Sequence, residues 1–298
     1  MSPTWSRRTR PFPSSECGAM LTTNPGESPN LFTLSFEATD DLLDDQRWST
    51  YWDVERLCRG PEPVPDWVVQ DRAAVDTELG VLKTGKEADV HLLRRAVPGT
   101  TGSTLAAKRY RGEEHRSFHR SAAYTEGRRM RNTRDARALT KKSKHGRSVA
   151  AGQWAWAEWQ ALTRFWSAGV PVPYPVQVDG TEILMELVTG SDGGAAPRLA
   201  ATRPERPLLE HYYDQVRDIL GLLARAGVVH GDLSPYNVLA ADDRLVVIDL
   251  PQVVDLVANP AGTDFLLRDC RNMCAWFVRR GLEVDEQSLF AEVVAQAF

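Results

Sequence analysis

His230-Gly231-Asp232-Leu233-Ser234-Pro235-Tyr236-Asn237 is the stretch on which the reading of the fold turns. Val228-Val229 precede it and Val238-Leu239 follow it, so a polar loop separates two short apolar runs. Transfer of a phosphoryl group to a hydroxyl needs a carboxylate that orients or deprotonates the attacking oxygen. It also needs an amide oxygen nearby that can hold Mg²⁺. The spacing from Asp232 to Asn237 matches the catalytic loop H-R-D-L-x-x-x-N of kinase folds. His230 has a pKa suited to general-base work, but in such loops this position is architectural, and it is given no catalytic role.

Downstream, Val246-Val247-Ile248-Asp249 puts a second carboxylate at the end of a predicted strand. Its natural role is that of metal ligand, bridging Mg²⁺ to phosphates. Either aspartate alone reads equally as a cap or a turn residue. Together with Asn237, and in this order, they point to phosphoryl transfer.

Upstream, Lys108 stands in Ala106-Ala107-Lys108 on a predicted strand, where a kinase fold carries its ATP-binding lysine. Glu158, in Trp156-Ala157-Glu158-Trp159 on a predicted helix, is its natural partner, because a carboxylate buried among aromatics needs a cation. Taken alone, Glu158 also reads as an exposed helix residue. Thr84-Gly85-Lys86-Glu87-Ala88-Asp89 lies between two predicted strands. Gly85 would let backbone N–H groups approach a phosphate, although with one glycine the segment also reads as a plain hairpin turn.

The surrounding pattern is α+β. Leu79–Lys83, Val90–Leu93, Thr104–Tyr110, Pro175–Val178 and Ile183–Val188 read as strands. Gln153–Ser167 is an amphipathic helix with Trp154, Ala157, Ala161, Leu162 and Phe165 on one face. Leu208–Ala226, Thr263–Arg280 and Glu286–Phe298 read as helices, with a small hairpin (Val238–Ala240, Leu245–Ile248) between the first two. The expected architecture is a two-lobed, protein-kinase-like fold: a small N-terminal antiparallel-sheet lobe with one helix over residues 79–188, and a mostly helical C-terminal lobe over 189–298. Residues 1–38, rich in Pro, Ser, Thr and Asn, read as a disordered or loosely attached tail. Residues 39–78, with Trp48, Tyr51, Trp52 and Trp67, read as a helical extension packing onto the main domain.

Composition narrows the class further. The chain has 298 residues, 26% of them charged, and a net charge of -4, so whole-chain charge does not point to nucleic acid. A local basic run from Arg128 to Arg147 reads as a mobile loop or an exposed helix, with RNA contact as the alternative. Cys17, Cys58, Cys270 and Cys274 form no CxxC pair, and the expectation is a reduced, cytoplasmic protein. No apolar run reaches membrane-spanning length. Arg7-Arg8 is followed by Pro11, Pro13 and Ser14 in place of an apolar segment, so no signal peptide is expected.

These residues resemble the RIO family of atypical serine protein kinases. The likeness runs in order through Thr84–Ala88, Glu158, Ser167–Pro173, Met185-Glu186, Ser191-Asp192-Gly193, Ala196–Leu199, His230–Leu239, Val247–Gln252, Asn259-Pro260 and Asp264-Phe265-Leu266. It covers roughly residues 79–280. The resemblance implies ATP and Mg²⁺, serine-directed kinase activity on a protein substrate or on the chain itself, and no standard activation loop. It assigns Gly85, Lys86, Lys108, Glu158 and the hinge residues Met185, Glu186 and Val188 to ATP, and Asn237 and Asp249 to the metal. Some members hydrolyse ATP through a phosphorylated metal-loop aspartate, which would be Asp249 here. Members from eukaryotes and archaea act in maturation of the small ribosomal subunit. Residues 1–78 carry no helix-turn-helix pattern, so the first RIO subgroup fits better than the second.

The competing readings are a small-molecule kinase of the aminoglycoside-phosphotransferase type, which shares the H-G-D-x-x-x-x-N loop, and an RNA-binding or ribosome-associated scaffold. Gly85-Lys86-Glu87-Ala88, Leu250-Pro251-Gln252 and a short insert between Glu186 and His230 favour the RIO reading over the first. Retention of Lys108, Asp232 and Asp249 speaks against the second.

Overall fold

The computed structural model describes residues 42–111, 144–250 and 253–297. An antiparallel six-stranded sheet in the order β1-β2-β3-β4-β6-β5 forms the N-terminal half. Its strands are β1 (Gln46–Trp48), β2 (Val75–Thr84), β3 (Ala88–Ala96), β4 (Ser103–Tyr110), β5 (Pro175–Asp179) and β6 (Glu182–Glu186). Helix α1 (Lys144–Ser167) is inserted between β4 and β5 and packs against β4, β5 and β6.

Strand alternation aims one face of the sheet at α1 and the cleft beneath it. In β4 the residues Ala106, Lys108 and Tyr110 share that face. Ala106 pairs with Met185 and Lys108 with Ile183 on β6, which fixes the lysine over the cleft. The helix was expected to start at Gln153. It begins at Lys144, so the end of the basic run is helical backbone.

Residues 42–74 differ from the helical extension expected for 39–78. They form β1, a run of turns and one 3-10 turn, Arg56–Cys58. The aromatics that suggested helix serve a strap across the outer side of the sheet: Tyr51 is buried with Leu93, Leu105, Tyr174 and Val176. Proline and polar spacing in Pro61-Glu62-Pro63-Val64-Pro65 rules out a helical hydrogen-bond ladder there. The strap is fastened by its own carbonyls and by Gly60. Trp159 donates its indole N–H to the Leu57 carbonyl (2.9 Å), and Tyr174 donates its hydroxyl to the Pro61 carbonyl (3.0 Å).

A buried ion pair ties β2 to β3. Arg95 is 1% exposed and donates to both carboxylate oxygens of Asp76 (2.6 and 2.8 Å), while its third bond reaches Gln177 on β5 (2.9 Å). Such a pair holds only because each charge is met in geometry that leaves no lone orphan.

The C-terminal half contains α2 (Arg206–Arg225), the hairpin β8–β9 (Val238–Ala241, Arg244–Val247), α3 (Gly262–Val278) and α4 (Glu286–Val294). The Asp242-Asp243 turn of the hairpin places Asp242 at φ 54°, a left-handed position that aspartate tolerates better than most residues. One pairing was not anticipated: β7 (Val228–Val229) pairs with β10 (Val254–Asp255), which brings the chain after Asp249 back beneath the catalytic loop. Cys270 and Cys274 lie on the buried face of α3, where burial pushes their thiols up to about 12 and about 11. They are apolar packing residues there.

Candidate active site

The sheet and the helical half enclose a cleft of about 850 Å³. Every residue assigned to the site from sequence lines it: Gly85, Lys86, Lys108, Glu158, Met185, Glu186, Val188, Asp232, Asn237 and Asp249. They arrive from the β2–β3 turn, β4, α1, β6 and the segment after it, the loop between β7 and β8, and the end of β9. That convergence of distant chain segments is what sequence order alone does not display.

Lys108 is the centre of the charge arrangement. Its Nζ lies 2.7 Å from Glu158 Oε1 and 3.0 Å from Asp249 Oδ1. Glu158 is 2% exposed and fully engaged: Oε2 accepts from the Tyr110 hydroxyl, and Oε1 also accepts from the Leu250 N–H (3.4 Å). Burial alone would lower the lysine's pKa, but Glu158, with Asp249 behind it, holds the ammonium well above its usual range. Burial likewise raises Asp249, yet the Lys108 ammonium outweighs it and the carboxyl stays below its ordinary value. Lys108 and Asp249 are therefore both charged at neutral pH.

Asp249 sits at φ 68°. A non-glycine residue in this region is strained and needs surrounding structure to hold it. Ile248 N–H donates to the Asn237 carbonyl (2.9 Å) and Val247 N–H to the Pro171 carbonyl (2.8 Å), which pin the strand end on which Asp249 turns.

The catalytic loop is held from behind. Asp269 on α3 is fully buried and accepts the N–H of Gly231 at 2.9 Å and of Leu233 at 2.8 Å. Burial raises its pKa to about 7, against the two N–H donors that favour the charged form. Asn272, also on α3, donates to the Leu233 carbonyl (3.1 Å). His230 is 1% exposed; its Nε2 is 3.3 Å from the Ile248 carbonyl and its Nδ1 faces the Asp232 N–H at 3.4 Å. That pairing assigns the proton to Nε2. Burial lowers the ring's pKa, so His230 is a neutral strut.

Asn237 donates its side-chain N–H to the Asp232 carbonyl (2.9 Å), which leaves Oδ1 without a role in the loop. An amide oxygen and the Asp249 carboxylate thus line one cleft, a pair of hard oxygen donors of the kind Mg²⁺ takes alongside phosphate oxygens and water. Among the described residues no group of three or more His, Cys, Asp or Glu side chains forms a metal cage.

Sequence reasoning gave no site role to Tyr110, Arg198, Glu87 or Asp269. Tyr110 follows Lys108 at strand spacing and was detectable as sharing its face. Arg198 lines the cleft, and Glu87 lines it from the β2–β3 turn, where burial and then Asp249 raise its pKa. Asp269 gave no local signal, since a single aspartate in an amphipathic helix reads as a solvent-facing residue. The basic run Arg128–Arg147 lies outside the described residues, apart from the helix backbone from residue 144 onward.

Comparison with known proteins agrees with this geometry. Residues 96–289 match the RIO domain family. The chain is 39% identical to the RIO-type serine/threonine-protein kinase Rio1 of Haloferax volcanii, over 75% of this chain and 70% of that protein. It is 30% identical to the serine/threonine-protein kinase RIO1 of Saccharomyces cerevisiae, over 73% of this chain but only 47% of the yeast protein. In fold it resembles the Rio2 kinase of Chaetomium thermophilum in an ADP/Mg²⁺-phosphoaspartate complex, with a TM-score of 0.52 at 20% identity, covering 73% of this chain and 62% of that one. The protein-kinase-like architecture read from the sequence is thereby the architecture of the chain.

Proposed function

The chain belongs to the RIO family of serine/threonine-protein kinases, and from that premise we propose that it moves the γ-phosphoryl group of ATP to a serine hydroxyl at the cleft beneath β4. The observation that carries the reading is the Lys108–Glu158–Asp249 cluster facing Asp232 and Asn237 across one cavity. Lys108, fixed by Glu158, supplies a charge for the α- and β-phosphates. Gly85 and Lys86 cover the phosphates from the β2–β3 turn. The adenine lies along Met185, Glu186 and Val188; the Val188 N–H has no partner among the described residues, while its carbonyl accepts from Ala196 (2.9 Å).

Asn237 and Asp249 would hold Mg²⁺, which supplies neutralisation of phosphate charge when bound. Asp232 orients the seryl hydroxyl and takes its proton as the new P–O bond forms and the bond to ADP breaks. The electrostatic logic is one of substitution. Without nucleotide, Asp249 has the Lys108 ammonium as its counter-ion; with nucleotide, the ammonium turns to phosphate. Purified protein incubated with γ-labelled ATP should label serine in the chain or an added protein, with dependence on Mg²⁺. Absence of any label and of any ADP would overturn the reading.

A second reading rests on Asp249 itself. Its side chain is 48% exposed at the cleft and held in a strained backbone position. One carboxylate oxygen could attack the γ-phosphorus, expel ADP and leave an acyl-phosphate that water then hydrolyses to inorganic phosphate. The Chaetomium Rio2 complex contains a phosphoaspartate. Hydroxylamine separates the two chemistries: it releases label from an acyl-phosphate and leaves phosphoserine intact.

RNA contact through Arg128–Arg147 and association with a small ribosomal subunit rest on sequence alone. Binding of a short RNA that falls steeply with salt, and weakens when these arginines are neutralised, would support the contact. Insensitivity to both would leave the run as a solvated segment.

A further inference from the structure

We propose that Arg203 and Arg279 form a docking surface for an acidic or phosphorylated segment of the protein substrate, beside the catalytic loop. The inference rests on the kinase reading above and adds the chemical class of its substrate.

The surface is built from the loop that follows the cleft and from the end of α3. Arg280 is its anchor. Its guanidinium stacks on the Trp276 ring at 3.7 Å and donates to the carbonyls of Thr202 (2.9 Å) and Ala200 (3.3 Å). The same short segment is joined to the catalytic loop, because Ala200 N–H donates to the Pro235 carbonyl at 2.9 Å. Arg203 therefore follows, three residues on, the segment bonded to the loop that carries Asp232, and Arg279 adjoins the anchoring Arg280.

Both Arg203 and Arg279 are exposed, and neither side chain has an ion pair or hydrogen bond among the described residues. Elsewhere on this surface arginines are paired: Arg206 with Glu210, Arg217 with Asp214 and Glu292, and Arg271 with Glu286. Arg203 and Arg279 lie close enough to Arg280 to disfavour its charge, after burial. Three neighbouring like charges repel one another, and an anion from outside relieves that repulsion. Planar guanidiniums suit carboxylates and phosphates in a two-bond fork.

The position selects the partner. A free phosphate would use any such surface, but here the cations border the loop where the seryl hydroxyl must sit. Tyr236, within that loop, is 64% exposed and adds an aromatic surface on the approach. A peptide entering toward Asp232 thus approaches two arginines whose guanidiniums are free to receive an acidic side chain.

The test uses the full chain and two fluorescein-labelled serine peptides of equal length, one flanked by aspartates and the other by arginines. Fluorescence anisotropy reads binding at low and at physiological salt, in wild type and in Arg203→Glu/Arg279→Glu. ATP hydrolysis and ATP affinity are measured in parallel, since neither arginine belongs to the nucleotide site. The expected result is at least tenfold tighter binding of the acidic peptide by wild type, weakening with salt, and loss or reversal of that preference in the double variant with ATP affinity unchanged. Equal binding of both peptides, or a preference that survives the double variant, overturns the proposal. So does a short RNA that displaces the acidic peptide at much lower concentration, which would assign the surface to nucleic acid. Failure of ATP turnover in wild type would overturn the kinase reading instead, and the binding data stand apart from it.

Discussion

Lys108 Nζ lies 3.0 Å from Asp249 Oδ1, joining two residues that are 141 positions apart in the chain. The same ammonium is 2.7 Å from Glu158 Oε1. One cation thus joins β4, α1 and the end of β9. The cleft is assembled in advance, and under the proposed function ATP would displace a contact rather than create the site.

The first prediction follows from that shared ammonium. Lys108→Ala leaves Glu158 buried at 2% exposure without its cation. Breaking one partner of a buried pair costs about 3–5 kcal/mol. The double variant Lys108→Ala/Glu158→Gln removes the orphaned charge and should recover part of that loss in urea unfolding. ATP binding should stay severely weakened in both. A double variant as unstable as the single one would show that the pair is not what Glu158 depends on.

Asp269 carries a pH dependence. Its folded-state pKa of about 7 lies above the ordinary 3.8. The fold therefore favours the protonated form, so this group's contribution to stability is fully present below about pH 4 and is lost as pH rises through about 7. Asp269→Asn should flatten the stability-versus-pH curve across that window. It should also lower kcat more than it changes ATP affinity, because one of the Gly231 and Leu233 N–H groups loses its acceptor, at a cost of about 1–3 kcal/mol. A wild-type curve already flat between pH 4 and 7 would refute the assignment.

Gly60 is the strap's point of closest approach. A Cβ there would meet the Pro175 carbonyl and the Tyr174 ring. Gly60→Ala should destabilise the protein by about 1–3 kcal/mol through overpacking. Gly99, where an added Cβ meets nothing, is the control for bulk, although its φ of 84° carries its own strain. Thermal unfolding checks both. A smaller loss at Gly60 than at Gly99 would mean that the strap is not tightly seated.

The elements that sequence reading recovered share a cause. The loop from His230 to Asn237, the Lys108 strand and the Asp249 strand end each carry chemistry in residue types at fixed local spacing, and all of them line the cleft. What it missed depends on partners far along the chain. The strap from 42 to 74 read as helix because Tyr51, Trp52 and Trp67 suggest a packed face, and only the sheet they cover shows that face to be extended. Asp269 acquires its role from Gly231 and Leu233, which no local pattern in α3 announces. Tyr110, by contrast, was within reach: it shares Lys108's strand face.

The central claim is that Asp232 acts on the hydroxyl and Asp249 on the metal–phosphate unit. Calorimetric titration of ATP with and without Mg²⁺ into Asp232→Ala and Asp249→Ala tests it most directly. The account predicts that Asp232→Ala keeps Mg²⁺-dependent ATP binding near the wild-type level while losing phosphoryl transfer, and that Asp249→Ala loses the Mg²⁺ dependence along with transfer. Retained Mg²⁺ dependence in Asp249→Ala, with its loss in Asp232→Ala, would contradict it.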